Sequence, residues 1–306
     1  MLSQSQAEFT ERNHCINCNS TRLSEISHGR FMDPPLRDFL EADPWGESPV
    51  PYLQDAEWVL VRCSECQQLF HKRILNAAWN EQRFTTWMSA DAIAKFEDER
   101  GWTSFSSKFD RARRHVEHVL RIEKFTRLIR GDRPVRLLDF GCGFGDFVCA
   151  CERFGFDAVG VDRAKPRIAS AVVRIYSSLD DLDETEPFHV VTLFEVLEHL
   201  DEPASVLKQL SGRSVSGGLL ILETPDCKGV TDLKSRTDYD LIHPLEHINA
   251  FTHETLISIA ERHGFRHIKN RGPAHVTAER IRVLKREAKH LLGRDGTTTQ
   301  LYFRKI

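Results

Sequence analysis

The chain has 306 residues, 41% of them hydrophobic and 28% charged, which excludes disorder as its main state and gives room for about two domains. Its 42 basic and 45 acidic side chains leave a formal net charge of −3, so a surface coated with phosphate-binding cations, and with it nucleic acid as partner, is not expected. No run approaches the roughly 18 apolar residues of a membrane span, and the first dozen residues lack the basic start and apolar core of a signal peptide; the expectation is a cytoplasmic protein without membrane attachment.

In chain order, the first segment, residues 1–75, carries two Cys-x-x-Cys pairs, Cys15/Cys18 and Cys63/Cys66. Two intervening residues let both sulfurs of one turn face the same ion, so four thiolates suit a tetrahedral structural zinc. Buried free thiols or a redox pair are the alternatives. Flanking runs Trp58–Arg62 and Gln68–His71 read as short strands, giving a zinc-ribbon-like domain. The 44 residues between Cys18 and Cys63 exceed the roughly 15–20 of a compact ribbon, so the stretch from Asp33 to Tyr52 is expected to bulge out as a loop.

Residues 76–130 read as a helical connector, because Phe109, Val116, Val119, Leu120, Ile122, Phe125, Leu128 and Ile129 give much of a 3.6-residue repeat. From Lys108 to Arg136 there are ten Lys/Arg against four acids. That excess reads first as a solvated helix face and second as a surface for an anionic substrate or nucleic acid.

Residues 131–306 alternate apolar runs with amphipathic stretches. Val135–Phe140, Ala158–Val161, Val190–Phe194 and Leu219–Glu223 are expected to be buried parallel strands, with helices near Phe147–Phe154, Lys165–Ala171 and Pro203–Leu210 between them. A helix Thr255–His263, a strand Phe265–Arg271, a helix around Ala278–Leu292 and a strand Gln300–Arg304 complete the pattern. The fold class is α/β, a Rossmann-like doubly wound, mainly parallel sheet of seven strands.

The first of these strands runs into Gly141-Cys142-Gly143-Phe144-Gly145, a turn whose glycines let backbone approach a ligand. Seventeen residues on, Asp162 ends the next strand, where a carboxylate can accept hydrogen bonds from both ribose hydroxyls of an adenosine. A dinucleotide fingerprint requires glycine at the sixth position, which is Asp146 here. Asp139, two residues before the turn, would repel a pyrophosphate and attract an ammonium group, so S-adenosylmethionine is the better electrostatic match.

The motifs Leu137–Gly145, Gly160–Asp162, Leu193-Phe-Glu-Val-Leu-Glu-His-Leu200, Gly217–Asp226 and His247–Leu256 resemble, in order, those of class I S-adenosylmethionine-dependent methyltransferases, more narrowly the bacterial small-molecule methyltransferases. The resemblance covers about residues 110–306. It implies that Asp139, Gly141, Cys142, Gly143 and Gly145 form the methionine side of the cofactor site, that Asp162 holds the ribose, and that Phe194 and Glu195 lie beside the sulfonium and the acceptor. His189 stands where the family usually has Asp. The cysteine pairs ahead of such a domain also resemble zinc-containing sugar C-methyltransferases, of whose Tyr-His-Glu-His motif Glu246-His247 keeps the last two residues.

Methyl transfer to a hydroxyl or carbon requires positioning of the acceptor and removal of its proton, a task suited to a histidine. His247 is the first candidate base, His199 the second, and Glu246 a possible orienting carboxylate. The expected function is O- or C-methylation of a small molecule, such as a sugar, polyketide, quinone or glycan precursor, with homo-oligomerisation left open. The competing readings are an RNA methyltransferase using the basic connector, against which residues 1–75 carry seven Lys/Arg and eleven acids, and a non-catalytic S-adenosylmethionine-binding partner protein.

Overall fold

Runs rich in Val, Ile and Leu without polar alternation can be buried on both faces only at the centre of a sheet with helices on either side. The structure, a computed structural model, describes residues 6–42, 45–126, 134–164, 168, 171–182, 186–269 and 298–306. The chain groups into two compact units, one of residues 1–104, 197–203 and 227–255, the other of residues 105–196, 204–226 and 256–306.

The second unit holds the seven-stranded sheet, in the order Phe265–Ile268, Thr298–Lys305, Ser214–Pro225, Phe188–Phe194, Arg136–Phe140, Asp157–Val161, Ile175–Tyr176. Arg136–Phe140 pairs in parallel with Asp157–Val161 on one side and Phe188–Phe194 on the other. Strand order therefore reverses beside it, and the crevice at the carboxyl ends of these strands is where an open α/β sheet binds its ligand. Thr298–Lys305 runs antiparallel to both its neighbours. The expected helices appear as Asp146–Arg153, Pro203–Gly212 and His253–Arg262. The helices expected at Lys165–Ala171 and Ala278–Leu292 lie largely or wholly outside the described residues.

Helix Phe105–Thr126 belongs to this unit, and its buried Val119 and Ile122 share a core with Phe147, Val148 and Cys151 of helix Asp146–Arg153. Truncating one such aliphatic side chain to Ala costs about 2–5 kcal/mol. Part of the helix's basic excess is used internally: Arg113 pairs with Glu117, Arg114 with Glu223, and Arg121 donates to Gln300. Arg127, Arg130 and Arg133 lie outside the described residues.

The first unit is built on a four-stranded antiparallel sheet, in the order Asn249–Ala250, Leu69–His71, Glu57–Cys63, Leu23–Arg30. The stretch expected to bulge out does otherwise. It forms helix Leu36–Ala42, and Leu36, Leu40 and Leu53 are buried in a core with Trp58, Trp79, Trp87, Tyr239 and Leu245. Apolar residues at 36, 39, 40 and 53 drive this inward packing, because leaving each exposed forgoes about 1.5–3 kcal/mol. The helical stretch after residue 76 is shared between the units: Ala77–Gln82 and Ala90–Glu99 fall in the first, Phe105–Thr126 in the second. Segment 227–255, read from sequence as part of residues 131–306, packs in the first unit. Among the described residues no helix is long and apolar enough to cross a membrane.

Candidate active site

In the second unit, Asp139 sits on Arg136–Phe140 and is 4% exposed. Burial pushes its carboxyl up to about 7; the Thr192 hydroxyl, donating to Oδ1 at 2.6 Å, opposes that rise, and the nearby Asp162 adds to it. The glycine turn that follows has φ of +78° at Gly141, +58° at Gly143 and +82° at Gly145. A Cβ on Gly141 would lie 2.3 Å from Cγ2 of Val196, and one on Gly145 2.5 Å from Cγ2 of Val173. A Cβ on Gly143 would meet nothing within 4 Å, so its bare backbone faces open space. Cys142 packs its sulfur over Gly160, where a Cβ would come within 2.4 Å.

Asp162 is 7% exposed and grips the turn from the neighbouring strand. Its Oδ2 accepts the Gly143 N–H at 2.9 Å, and its Oδ1 accepts that of Ala164 at 2.9 Å. At the end of Phe188–Phe194, the Phe194 ring stacks on His118 with centroids 4.6 Å apart and meets Phe147 edge-on at 5.2 Å. Glu195 follows with φ +55°, a left-handed backbone that costs a residue with a side chain about 1–3 kcal/mol; its N–H is held by the Glu223 carbonyl at 2.8 Å. His189, in the position where Asp was expected, accepts the Arg136 N–H on Nδ1 at 3.1 Å, a bond between adjacent strands.

The first unit holds the other candidates. Cys15, Cys18, Cys63 and Cys66 bring their sulfurs within 4.8 Å of one another, with Cys15–Cys66 and Cys18–Cys63 both at 3.5 Å. Two thiolates of one tetrahedral zinc stand about 3.8 Å apart, whereas a disulfide is about 2.0 Å long, so the cluster has the spacing of a metal site and not of cystines. His199 and His247 stack edge to face, with ring centroids 4.8 Å apart. His199 places Nδ1 2.9 Å from the Glu246 carbonyl, and His247 places its own 3.3 Å from that of Leu241. A carbonyl accepts only, so in each ring Nδ1 carries the hydrogen and Nε2 the lone pair. Burial holds both imidazoles below their ordinary range, and it raises the Glu246 carboxyl.

The sequence profile of the family described as Methyltransferase domain matches residues 112–270, just over half of the chain. The chain belongs to this methyltransferase family. It is 32% identical over 155 residues to a ubiquinone biosynthesis O-methyltransferase of Ruegeria pomeroyi, covering 43% of this chain and 62% of that protein. With the mitochondrial ubiquinone biosynthesis O-methyltransferase of Candida albicans it shares 34% identity over 111 residues, 31% of this chain and 34% of that one. The match thus spans from about a third to about three fifths of these curated relatives' lengths. A SAM-dependent methyltransferase structure from Archaeoglobus fulgidus is similar with a TM-score of 0.43 and 21% identity, over 62% of this chain and 94% of that chain.

In this methyltransferase the loop residues fit S-adenosylmethionine: open space over Gly143, one carboxylate in the strand before the turn and a second at the end of the next strand are the features a cationic nucleoside ligand needs. Asp139, Gly141, Cys142, Gly143, Gly145, Asp162, Phe194 and Glu195 all belong to the second unit. His199, Glu246 and His247 belong to the first, with the four cysteines.

Residues not foreseen from sequence hold these groups in place. Asn249 donates from Nδ2 to the carbonyls of Leu197 and Leu200, at 2.8 and 2.7 Å, clamping the turn that carries His199. Buried Arg12 donates to Oδ1 of Asn249 at 2.7 Å and to the carbonyls of His71 and Ile248. Arg83 donates to the Leu245 carbonyl and Gln68 to that of Ala250, so the strap from 245 to 250 is held along its length. An isolated Arg or Asn in a sequence gives no sign of such a role; only the long-range pairing reveals it.

Proposed function

We propose that this chain transfers a methyl group from S-adenosylmethionine to a hydroxyl of a small molecule, with a phenolic ring of the quinone-precursor type as the favoured acceptor. The observation that carries the reading is the glycine turn held open by the Asp162 carboxylate beside buried Asp139, in a chain of the methyltransferase family. The quinone class is supported by the names of the relatives, ubiquinone biosynthesis O-methyltransferases.

Asp139 and the backbone of Gly141–Gly145 bind the amino-acid end of the cofactor, and Asp162 the ribose. Bound there, the cofactor supplies an activated methyl carbon, so the protein's work is to align the acceptor, exclude water and take a proton. Phe194 and Glu195 stand on the acceptor side. The candidates for taking the proton are His247 first and His199 second, whose Nε2 lone pairs are kept available by the carbonyls fixed on Nδ1, that of Glu246 for His199 and that of Leu241 for His247, with Glu246 assigned as the orienting carboxylate. The four cysteines hold a structural zinc that stabilises the unit in which the pair sits.

The test is incubation of zinc-loaded protein with labelled S-adenosylmethionine and a panel of catechols, sugars and polyketide-like phenols. Label on a catechol oxygen, with His247→Ala lowering kcat about 10²–10⁴-fold, is the expected result. Cofactor binding without transfer to any hydroxyl of the panel would overturn the reading.

A further inference from the structure

Helix Phe105–Thr126 carries a buried histidine at the edge of the cofactor loop. His118 is 5% exposed, and its imidazole lies on the Phe194 ring with the two planes 29° apart. Phe147, two residues past Gly145, meets the same imidazole edge-on at 6.1 Å. Phe194 stands two residues beyond Thr192, whose hydroxyl holds Asp139, so the two side chains leave one face of the sheet about 7 Å apart. His118 thus backs the corner of the site assigned to the sulfonium.

The protonation of this imidazole is dictated by Gln300. Phe194, Glu223 and Gln300 lie side by side across three strands, Phe194 paired with Glu223 and Glu223 with Gln300. Arg121 donates to Oε1 of Gln300 at 3.0 Å and the Tyr302 hydroxyl at 2.9 Å. An arginine only donates, so the atom it meets is the amide oxygen and the other end of the amide is the nitrogen. That nitrogen gives one hydrogen to Oε2 of Glu223 at 2.8 Å and the other to Nδ1 of His118 at 3.1 Å. Nδ1 therefore accepts, and the ring is neutral with its hydrogen on Nε2. A second proton on Nδ1 would set N–H against N–H and break the bond.

We infer that Gln300 holds His118 neutral and that the two residues thereby set the preference of the site for S-adenosylmethionine over its demethylated product, S-adenosylhomocysteine. The inference rests on the proposed cofactor site. Cofactor and product share the ammonium, carboxylate and ribose groups and differ at sulfur, which is cationic only before transfer. An imidazolium behind Phe194 would repel that cation through apolar rings that screen it little, and would leave the product unaffected. The other charges around His118 are already engaged: Glu223 with Arg114 and Gln300, Glu117 with Arg113, and Arg121 with Gln300. One turn back, His115 faces Asp146 and is held below its ordinary range by burial; Glu195 follows Phe194 in the chain.

The experiment has two parts, both on zinc-loaded full-length protein. Nitrogen-15 NMR of the histidines, with His118→Asn identifying the signals, should show a bare Nδ1 and a protonated Nε2 for His118 down to pH 5.5 without any ligand. A hydrogen on Nδ1 in that range would overturn the inference. Calorimetric titrations with S-adenosylmethionine and S-adenosylhomocysteine then give the ratio of the two affinities, in which the effect of Asp139 on the shared ammonium cancels. The ratio should be level from pH 7.5 to 5.5 in the wild type. In Gln300→Met it should fall by about fivefold towards pH 5.5, as for an imidazole that titrates at about 6.5 alone and about 5.5 beside the sulfonium. Adding His118→Asn, which still lacks a titrating ring, should make the ratio level again, a rescue that a merely structural role of Gln300 or titration of His115 would not give. A level ratio in Gln300→Met, or a fall that persists in the double variant, would overturn the inference while leaving the cofactor site in place. Wild-type protein that binds neither ligand would overturn the cofactor site and the inference with it.

Discussion

Asp162 reaches across from its own strand to accept the Gly143 N–H at 2.9 Å, so the carboxylate assigned to the ribose also shapes the loop assigned to the methionine end. Asp162→Ala should therefore lower stability by about 1.5–3 kcal/mol, the range for a hydrogen bond to a charged group, in denaturant unfolding. Calorimetry should show S-adenosylmethionine affinity reduced at least tenfold. A loss of stability with affinity unchanged would confine Asp162 to loop structure.

The glycines of the turn should separate by experiment. Gly141→Ala drives a methyl group to 2.3 Å from Val196 and should destabilise the fold by about 1–3 kcal/mol. Gly143→Ala meets open space, so only its positive φ is penalised, about 1–2 kcal/mol, but the methyl group would stand where the cofactor approaches. Comparing melting curves with titrations should show the first variant weaker in stability and the second in affinity. Equal effects on both would mean that Gly143 is not a contact surface.

Cofactor affinity should depend on pH through Asp139. Its carboxyl is raised to about 7 by burial, so the folded chain binds this proton more tightly than the unfolded chain does. Stability from this group consequently declines as pH rises from about 4 to about 7 and is level above that. A cationic ligand requires the ionised form, so affinity should increase about tenfold per pH unit up to about 7 and then level off. Asp139→Asn should flatten the profile, and Thr192→Val, which removes the bond that favours the carboxylate, should shift its midpoint upward.

The cysteine site should be needed for folding. Cys63→Ser is expected to lower zinc content below one per chain and to make segments near residues 57–75 sensitive to trypsin, since the closed site links Leu23–Arg30 and Glu57–Cys63 at their ends. Elemental analysis and mass-spectrometric mapping of the cleavage sites check this. Unchanged zinc with unchanged proteolysis would show that these thiols are buried and free.

Local chemistry was legible in the sequence. Val, Ile and Leu runs marked the central strands within two or three residues at most ends, though the strand ending in Pro225 starts five residues early, at Ser214. The glycine turn and the acid of the next strand could be read together as a candidate cofactor loop because both lie within 25 residues of one another. What escaped depends on distant partners. Asn249–Ala250 has no strand signature of its own and becomes one only by pairing with Leu69–Phe70. Leu23–Arg30 is polar at most positions and pairs along one side of Glu57–Cys63, so it lacks the apolar run of a central strand. The excess length between the two cysteine pairs points to a bulging loop over Asp33–Tyr52, whereas Leu36, Phe39 and Leu40 give one helical face to the core.

The pairing of Asn249–Ala250 with Leu69–Phe70 ties two stretches about 180 residues apart into one sheet. During synthesis the Leu69–His71 strand must wait, with one row of N–H and C=O groups unsatisfied, until the ribosome has released residue 250. A fragment that stops at residue 104 would keep all four cysteines and still present a raw β edge to any other copy, the kind of edge through which nascent chains stick together.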